Sequence, residues 1–437
     1  MKYLIRLAQA YETFRRPEID ALAALAGLEV HVLHYHHDSP FCIVDLPSND
    51  AAKAFISRAI LCMSIYEWWG SGGDYEALHA SVRTNAFAAL AKYRDASFKF
   101  AVDSFRGKRT MSKQRELIES FAWFDWQGPI IMHDAEVQMV IFEDWDRGPT
   151  SAKGPPDPKM LHLGRWLGSG LRDAILTYDL KKRKYISRTS MDAELSLVTA
   201  LLTLAAPGKI IYDPFVGTGS FAVTAAFFGS KVFGSDIDAR SIRGVPDCNL
   251  LTNFVQYQSQ HNFLDSFISD LVHTPLRRAQ ILDGIICDPP YGIREGPKTL
   301  GYREGKTAAP VTIDDIPAHM RDGWVPPKRP YGFDDMMQDV LDFGFDMLVD
   351  HGRLSVWMPT ANDEDSDLPV PSHPGLAIIS ICTQHFNKWS RRLLTYRRLP
   401  HSEIDLAQIN VVRSERAKGS ANDVNRFRKK YFEGFRT

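Results

Sequence analysis

A short turn after an apolar run carries the residues best suited to chemistry on an amine. Ile281–Cys287 is typical of a buried strand, and Asp288, Pro289, Pro290 and Tyr291 follow it directly. The prolines fix two φ angles and leave neighbouring carbonyls free to accept hydrogen bonds, while Asp288 adds a carboxylate and Tyr291 an aromatic face. Such acceptors help a ring-bound amine to shed a proton as it attacks an electrophile. The same residue types also occur in ordinary strand-ending turns.

A glycine-rich loop lies upstream, between a predicted strand and a predicted helix. Gly217 and Gly219 allow backbone to approach a ligand closely, and N–H groups near a helix start favour an anionic group. Asp213 favours a cationic group instead. An amino acid that carries a sulfonium meets both demands, which predicts S-adenosylmethionine as cofactor and a methyltransferase as the activity. The predicted cofactor-binding residues of the loop are Asp213, Pro214, Phe215, Gly217, Thr218 and Gly219.

Strands alternate with helices around these motifs, which predicts a doubly wound, mostly parallel sheet. Asp213, Asp236, Asp270 and Asp288 each fall at the carboxyl end of a predicted strand. Ligands bind at that edge of such sheets. We therefore expect Asp236 to bind ribose hydroxyls and Asp270 to accept from the adenine amino group.

Composition limits the remaining possibilities. The chain has 437 residues, which predicts two or three domains, and a formal net charge of -1, so nucleic-acid binding must come from local basic patches. The five cysteines show no metal-site or disulfide spacing, which indicates a reducing compartment, and we expect a cytoplasmic protein. No apolar stretch reaches the roughly 18 residues of a membrane span, and the N-terminus does not resemble a secretory signal.

The first 60 residues predict a β-α-β-β-α unit of ferredoxin-like type. The histidines between His31 and His37 read as a partly solvated strand rather than a metal site, because strand alternation places His31 on a different face from His34 and His36. A second compact unit is predicted to follow to about residue 150, and the Gly- and Pro-rich stretch from 148 to 158 predicts a linker.

Several basic segments are candidates for contacts with RNA phosphates. Each is equally typical of a solvated face or turn. The candidates are Arg106, Lys108, Arg109, Lys181, Lys182, Arg183, Lys184, Arg391 and Arg392, and the basic tail at 413–437 is expected to supplement them.

Three segments together resemble the eukaryotic tRNA guanosine-N2 methyltransferases that modify position 10, a family of class I amino-methyltransferases. They are Asp213–Ser220, Asp288–Glu295 and the run from Lys182 to Leu195 that contains Thr189-Ser190-Met191. The resemblance implies a Rossmann-like class I methyltransferase domain after α+β ferredoxin-like and THUMP domains. The implied boundaries are a ferredoxin-like domain at 1–60, a THUMP domain at 61–150, a linker at 151–187, the catalytic domain at 188–412 and the tail at 413–437.

The resemblance also implies roles for particular residues and partners. Asp288 to Tyr291 would bind a target guanine flipped out of the tRNA, with Asp288 as the essential acceptor. Thr189 and Ser190 would close over the methionine end of the cofactor. A small zinc-binding activator protein would add a strand at the sheet edge Leu264–Ser269.

Two alternatives remain open at the level of the sequence. An adenine-N6 methyltransferase of DNA or RNA uses an equivalent turn, and a non-catalytic RNA-binding scaffold could retain the same fold. The long irregular stretch Glu295–Tyr331 follows the turn and could serve as a lid or substrate clamp, because loops of this length are uncommon unless functional or disordered.

Overall fold

The computed structural model describes residues 1–145, 157–292, 296–301, 312–321, 324, 326–361, 370–387, 389–404 and 409. The predicted basic tail at 413–437 and the greater part of the Gly- and Pro-rich stretch at 148–158 lie outside the described residues. The chain divides into two compact units, Met1–Arg172 and Asp173–Thr437. Each unit contains its own large sheet in the described part of the chain.

The first unit alternates strands with short helices. Its strands are β1 (Lys2–Leu7), β2 (His31–Tyr35), β3 (Phe41–Asp45), β4 (Cys62–Gly72), β5 (Phe98–Phe105), β6 (Val137–Asp144) and β7 (Met160–Ser169). Its helices are α1 (Glu12–Ala26), α2 (Asn49–Ile56), α3 (Tyr75–Asn85), α4 (Phe87–Lys92) and α5 (Met111–Glu119). The predicted β-α-β-β-α order of the first 60 residues is confirmed.

The described strands of the first unit form one sheet in the order β2-β3-β1-β4-β7-β6-β5. β1 pairs antiparallel with both β3 and β4, so the sheet runs without a break across the boundary predicted between residues 60 and 61. β5 and β6 pair in parallel at the other end. The predicted ferredoxin-like and THUMP segments therefore share a sheet.

The segment 151–187 is not only a linker, which corrects the sequence-based prediction. Its strand β7 pairs antiparallel with β4 and β6 in the centre of the sheet. Gly164 lies within β7, and glycine is uncommon inside strands. A Cβ at this position would lie 2.8 Å from the Tyr66 Cβ, so the close approach of β4 requires glycine. The polar Arg165 is satisfied across the sheet, where its Nε donates to Glu67 at 2.7 Å.

Glu18 fastens the first helix to the sheet. Its side chain is fully buried, and its carboxylate accepts hydrogen bonds from the backbone N–H groups of Ile60, Leu61 and Cys62 at 2.7 to 3.0 Å. These groups lie immediately before and at the start of β4. A buried carboxylate with this many donors is a strong local constraint.

The second unit has the alternating pattern predicted for the catalytic domain. Its strands are β8 (Ile210–Asp213), β9 (Lys231–Asp236), β10 (Phe263–Ile268), β11 (Leu282–Cys287), β12 (Lys298–Leu300), β13 (Thr312–Ile313), β14 (Ile316–Pro317), β15 (Lys328–Pro330), β16 (Leu348–Ala361), β17 (Leu376–His385) and β18 (Trp389–Arg398). Its helices are α6 (Ala174–Tyr178), α7 (Ala193–Leu202), α8 (Ser220–Phe227), α9 (Ala239–Arg243), α10 (Leu250–Gln256) and α11 (Phe333–Met347).

The main sheet of the second unit has the order β10-β9-β8-β11-β16-β18-β17 among the described residues. The first five strands are parallel, whereas β18 runs antiparallel to β16 and β17. The predicted doubly wound sheet with an antiparallel end is confirmed. Since the order reverses between β8 and β11, ligands are expected at the carboxyl ends of these central strands.

Local sequence explains where the helices around the site begin. Asp192 caps α7 by accepting from the N–H of Leu195 at 3.0 Å, and Asn249 and Thr252 form a capping box at α10. The apolar face of α11 packs into the core formed with β11 and β16, through residues such as Met336, Val340 and Met347. These contacts hold the parallel strands that carry the predicted site.

Two further observations concern the described residues only. None of their helices combines the length and the apolar character that a membrane crossing requires. One trio of possible metal ligands occurs, His36, His37 and Asp38, but all three side chains are exposed and the cluster carries no argument for a bound ion.

Candidate active site

The four predicted aspartates lie along one edge of the second sheet. Asp213 and Asp236 are the last residues of β8 and β9, Asp288 follows β11 directly, and Asp270 follows β10 by two positions. Because these strands are parallel, their carboxyl ends meet at the same edge. The sequence-based expectation about their placement is confirmed.

Asp288 and Tyr291 form a buried pair within the turn. The Tyr291 hydroxyl donates a hydrogen bond to Asp288. Burial raises the pKa of Asp288, an effect that the positive charge of Arg391 and the bond from Tyr291 oppose. Burial, together with the Asp288 charge, raises the pKa of Tyr291 well above its usual range, so the phenol stays protonated. The turn therefore presents a carboxylate acceptor beside an aromatic ring.

Trp389 of β18 and Phe386, which directly follows β17, contribute aromatic rings beside this turn. Trp389 lies edge-on to Tyr291 with ring centroids 6.3 Å apart, and Phe386 stacks on Trp389 at 4.5 Å. The guanidinium of Arg391 lies 4.9 Å from the ring of Trp357. The sequence analysis did not predict these aromatic residues as part of the site, although the alternation of aromatics and arginines after residue 388 was a usable signal.

Arg391 and Arg392 are less exposed than their predicted contacts with RNA phosphates would favour. Arg391 donates to Gln384 and lies 3.8 Å from the Asp192 carboxylate, with its side chain only 15% exposed. Arg392 is buried. Burial of Arg392 contradicts its predicted contact with an RNA phosphate, whereas for Arg391, whose charge acts on Asp288, the phosphate contact stays a prediction.

Backbone N–H groups of the glycine loop donate hydrogen bonds to the aspartates at the strand ends. Asp213 accepts from the N–H of Phe215 at 2.9 Å, and Asp236 accepts from the N–H of Gly217 at 3.0 Å. Gly217 and Gly219 have φ angles of 50° and 82°, which a side chain would strain. A Cβ at Gly219 would also lie 2.3 Å from Leu250. Both glycines are thus required by the loop conformation itself.

Burial and repulsion between carboxylates raise the pKa values of Asp213 and Asp236 at this edge of the sheet. Burial raises the pKa of Asp213 well above its usual range, and the nearby charges of Asp236 and Asp288 raise it further. Burial also raises the pKa of Asp236, although hydrogen bonds from Asp238 and Gly217 oppose it. A positively charged ligand would relieve this repulsion. The predicted cationic cofactor therefore fits the carboxylates of Asp213 and Asp236.

Ser190 lies against the glycine loop. Its hydroxyl is 2.8 Å from the Thr218 hydroxyl, and the neighbouring Thr189 hydroxyl is 3.0 Å from that of Ser187. Pro214 and Phe215 complete the loop between β8 and α8. Whether these residues bind cofactor stays a prediction.

The Asp270 carboxylate accepts hydrogen bonds from three residues of the protein. Its carboxylate accepts from the hydroxyl of Thr299 at 2.6 Å, the N–H of Leu300 at 2.8 Å, and both the N–H and the imidazole Nδ1 of His273 at 2.9 Å. Burial alone would raise the pKa of Asp270, but these donors outweigh it and lower the pKa. The predicted bond to an adenine amino group would have to compete with these donors, three of which reach Oδ2.

The cations predicted to bind RNA divide into exposed and interior groups. Arg183 is buried, where its Nη1 donates to Ser220 at 2.9 Å, and Arg109 pairs with the buried Glu143 at 3.0 Å. For the buried Arg183 the phosphate-binding prediction is corrected, whereas for Arg109, whose side chain is 11% exposed, it stays a prediction. The other five cations are exposed or half-buried, namely Arg106, Lys108, Lys181, Lys182 and Lys184. The Lys182 ammonium donates to the Leu176 carbonyl at 2.6 Å.

Comparison with known proteins matches both units. The family model for the Tmrp11 THUMP N-terminal domain matches residues 1–172, and a model for the RMKL-like methyltransferase domain matches residues 181–301. A protein of Saccharomyces cerevisiae named tRNA (guanine(10)-N(2))-methyltransferase is 38% identical over 99% of both chains. The chain belongs to the tRNA (guanine(10)-N(2))-methyltransferase family. A Schizosaccharomyces pombe relative of that name is 37% identical over 98% of this chain and 96% of its own.

Membership of the tRNA (guanine(10)-N(2))-methyltransferase family extends to animals. The Homo sapiens relative, tRNA (guanine(10)-N(2))-methyltransferase TRMT11, is 31% identical over 99% of this chain and 95% of its own. The family assignment agrees with the THUMP-plus-methyltransferase order that the sequence motifs implied.

Proposed function

We propose that this enzyme transfers a methyl group from S-adenosylmethionine to the exocyclic N2 amine of guanosine at position 10 of tRNA. The observation that carries the proposal is the Asp288–Tyr291 turn beside the glycine loop, at one edge of a parallel sheet, in a chain whose relatives bear that activity in their names. When bound, S-adenosylmethionine supplies an electrophilic methyl group on sulfur.

The residues of the turn would orient the amine. The target guanine stacks on Tyr291, and its N2–H groups donate to Asp288 and to a carbonyl of the proline turn. Acceptors aimed at the amine would favour loss of its proton to Asp288 as the nitrogen takes the methyl group that the cofactor would supply. Arg391, held on β18, counters the cost of burying the Asp288 charge.

The cofactor would lie along the carboxyl edge of β8, β9 and β10. The conformation of the glycine loop brings backbone close to the ligand, and the carboxylates of Asp213 and Asp236 favour a cation there. The THUMP-containing unit would bind tRNA, with Arg106 and Lys108 among its exposed cations.

We further propose that a small zinc-binding activator docks on β10. This strand forms one end of the sheet in the described residues. Leu264 and Ile268 on it are 54% and 42% exposed, so an added strand would find apolar side chains as well as backbone partners. Stacking of Phe254 on Phe263 at 4.4 Å links α10 to the strand, and Leu251 and Val255 of that helix are also exposed.

All five cysteines are free. This is consistent with a reducing compartment, and we propose that the enzyme acts in the cytoplasm.

Nucleoside mass spectrometry tests the proposed reaction. Unmodified tRNA is incubated with S-adenosylmethionine and this protein, with and without the activator, and the product is mapped to its position. We expect N2-methylguanosine at position 10 when the activator is present. N6-methyladenosine would instead support an adenine methyltransferase, and product without a partner would indicate a stand-alone enzyme.

The variant Asp288→Asn tests the role of the turn in the same assay. We expect the single-turnover rate to fall by at least about 100-fold, because an amide cannot take up the amine proton as a carboxylate can. The affinity for tRNA should change little, since phosphate contacts dominate it. Asp334→Asn, at an exposed position in the first turn of α11, is the matched control. An equal loss of tRNA affinity and rate in Asp288→Asn would show that the residue has been misassigned.

A further inference from the structure

A two-stranded ribbon follows the catalytic turn in the chain. It consists of β12 and β15, which pair antiparallel with Leu300 opposite Lys328 and Lys298 opposite Pro330. The backbone N–H of Tyr331 donates to the carbonyl of Pro297 at 3.0 Å and closes its base. The ribbon belongs to the stretch in which the sequence predicted a lid or clamp.

One strand of the ribbon is fastened to the end of β10. The Thr299 hydroxyl and the Leu300 N–H both donate to Asp270, and Thr299 is only 2% exposed. His273 supplies two further donors to the same carboxylate. The Thr299 hydroxyl, the Leu300 N–H and the His273 imidazole reach Oδ2 and the His273 N–H reaches Oδ1, so a ligand amine would have to compete with donors that the protein already supplies.

The other strand is fastened to the end of β9. The Lys328 ammonium donates to the backbone carbonyl of Ile237 at 2.8 Å. Ile237 follows the last residue of β9 and precedes Asp238. The ribbon is thus attached at the carboxyl ends of two adjacent strands, the two expected to receive the nucleoside of the cofactor.

We propose that the ribbon is a fixed wall of the cofactor's nucleoside pocket, and that Asp270 and Lys328 are positioning residues that hold it there. The inference rests on the proposed function, because it requires S-adenosylmethionine at this edge. A wall in place before binding limits the loss of freedom when the cofactor is ordered and so increases affinity. Asp270 then contributes through Thr299 and Leu300 instead of contacting adenine.

Variants of Thr299 test this inference on the full chain. Thr299→Val keeps the side-chain shape but removes the bond to Asp270, and we expect the affinity for S-adenosylhomocysteine, measured by calorimetry, to fall about 10-fold. The KM for S-adenosylmethionine should rise with it, whereas the KM for tRNA should not change. Thr299→Ser restores the hydroxyl and should restore affinity. Thr312→Val, at an exposed position in β13, is the matched control.

A rise in the affinity of Thr299→Val for S-adenosylhomocysteine would overturn the proposal. If the ribbon is displaced by cofactor, Thr299→Val removes a competitor and S-adenosylhomocysteine binds more tightly; unchanged affinity would equally exclude a wall that supports the cofactor. Lys328→Met tests the second attachment and should weaken binding in the same direction. If the wild-type protein together with its activator binds no S-adenosylhomocysteine at all, the proposed function fails and not merely the inference about the ribbon.

Hydrogen exchange on the wild-type protein gives a second measurement that needs no variant. The Leu300 amide, which donates to Asp270, should be protected without cofactor and should stay protected when S-adenosylhomocysteine is added. Loss of that protection on binding would mean that the ribbon leaves Asp270, which contradicts a fixed wall.

Discussion

At the scale of single residues, Arg391 controls how readily Asp288 accepts a proton. Among the described residues, Asp288 faces four charged or titratable groups: Tyr291 of its own turn, Cys287 of β11, Asp213 of β8 and Arg391 of β18. Only Arg391 is positive among them. Its loss should therefore raise the pKa of Asp288 further, so that the carboxylate form is lost at a higher pH as the solution is acidified.

The expected result for Arg391→Met is a pH–rate profile whose acid limb moves toward higher pH. Activity should fall steeply at acidic pH and recover in part under alkaline conditions, where Asp288 is ionised without help. Single-turnover methylation across pH measures this. Arg397→Met is a suitable control, because Arg397 lies on the same strand but contacts His351 at 2.8 Å instead of the turn. A uniform loss at every pH would indicate that Arg391 acts only by packing.

At the scale of elements, the two edge strands of the second sheet allow a matched comparison. Ile268 of β10 and Ile381 of β17 are 42% and 43% exposed, at opposite ends of the same sheet. We expect Ile268→Lys to abolish co-purification of the activator, because a charge on the edge disfavours strand addition. Ile381→Lys should retain the partner, and neither change should alter the melting temperature of the isolated chain by much. Retention of the partner by both variants would exclude β10 as its docking strand.

At the scale of the whole molecule, the two units have separate sheets and so should respond to different perturbations. Glu18→Gln replaces one acceptor oxygen with an NH2 group that faces backbone donors, and should destabilise the first unit by about 1–3 kcal/mol. S-adenosylhomocysteine at about 100 times its Kd should stabilise the second unit by about 2.7 kcal/mol. Hydrogen exchange resolved by unit would distinguish the two effects, and a change distributed equally over both units would contradict the expectation.

Local motifs were sufficient to predict the frame of the site. Asp213, Asp236 and Asp288 each end or directly follow an apolar strand, and parallel strands bring such ends together without further information. The glycine loop is likewise specified by neighbours in the chain, through the φ angles of Gly217 and Gly219.

Interactions between distant segments explain what the sequence did not reveal. Arg391 lies about one hundred residues after Asp288, and only the β16-β18 pairing brings it to the turn. Arg183 looks like part of a solvated basic run, but its Nε and Nη1 donate to Tyr257 and Ser220 inside the domain. The acceptor capacity of Asp270 depends on Thr299, which follows it by almost thirty residues. Residue type alone could not show that these groups already had partners.

The strand order has a consequence for how an activator can act. β10 and β11 are separated by β9 and β8, which is three inter-strand spacings or about 14 Å. A strand added beyond β10 would thus lie well away from the reacting nitrogen, but it would adjoin the strand that leads to Asp270. Its influence should pass through cofactor affinity, and by thermodynamic reciprocity the cofactor should tighten the heterodimer by the same factor.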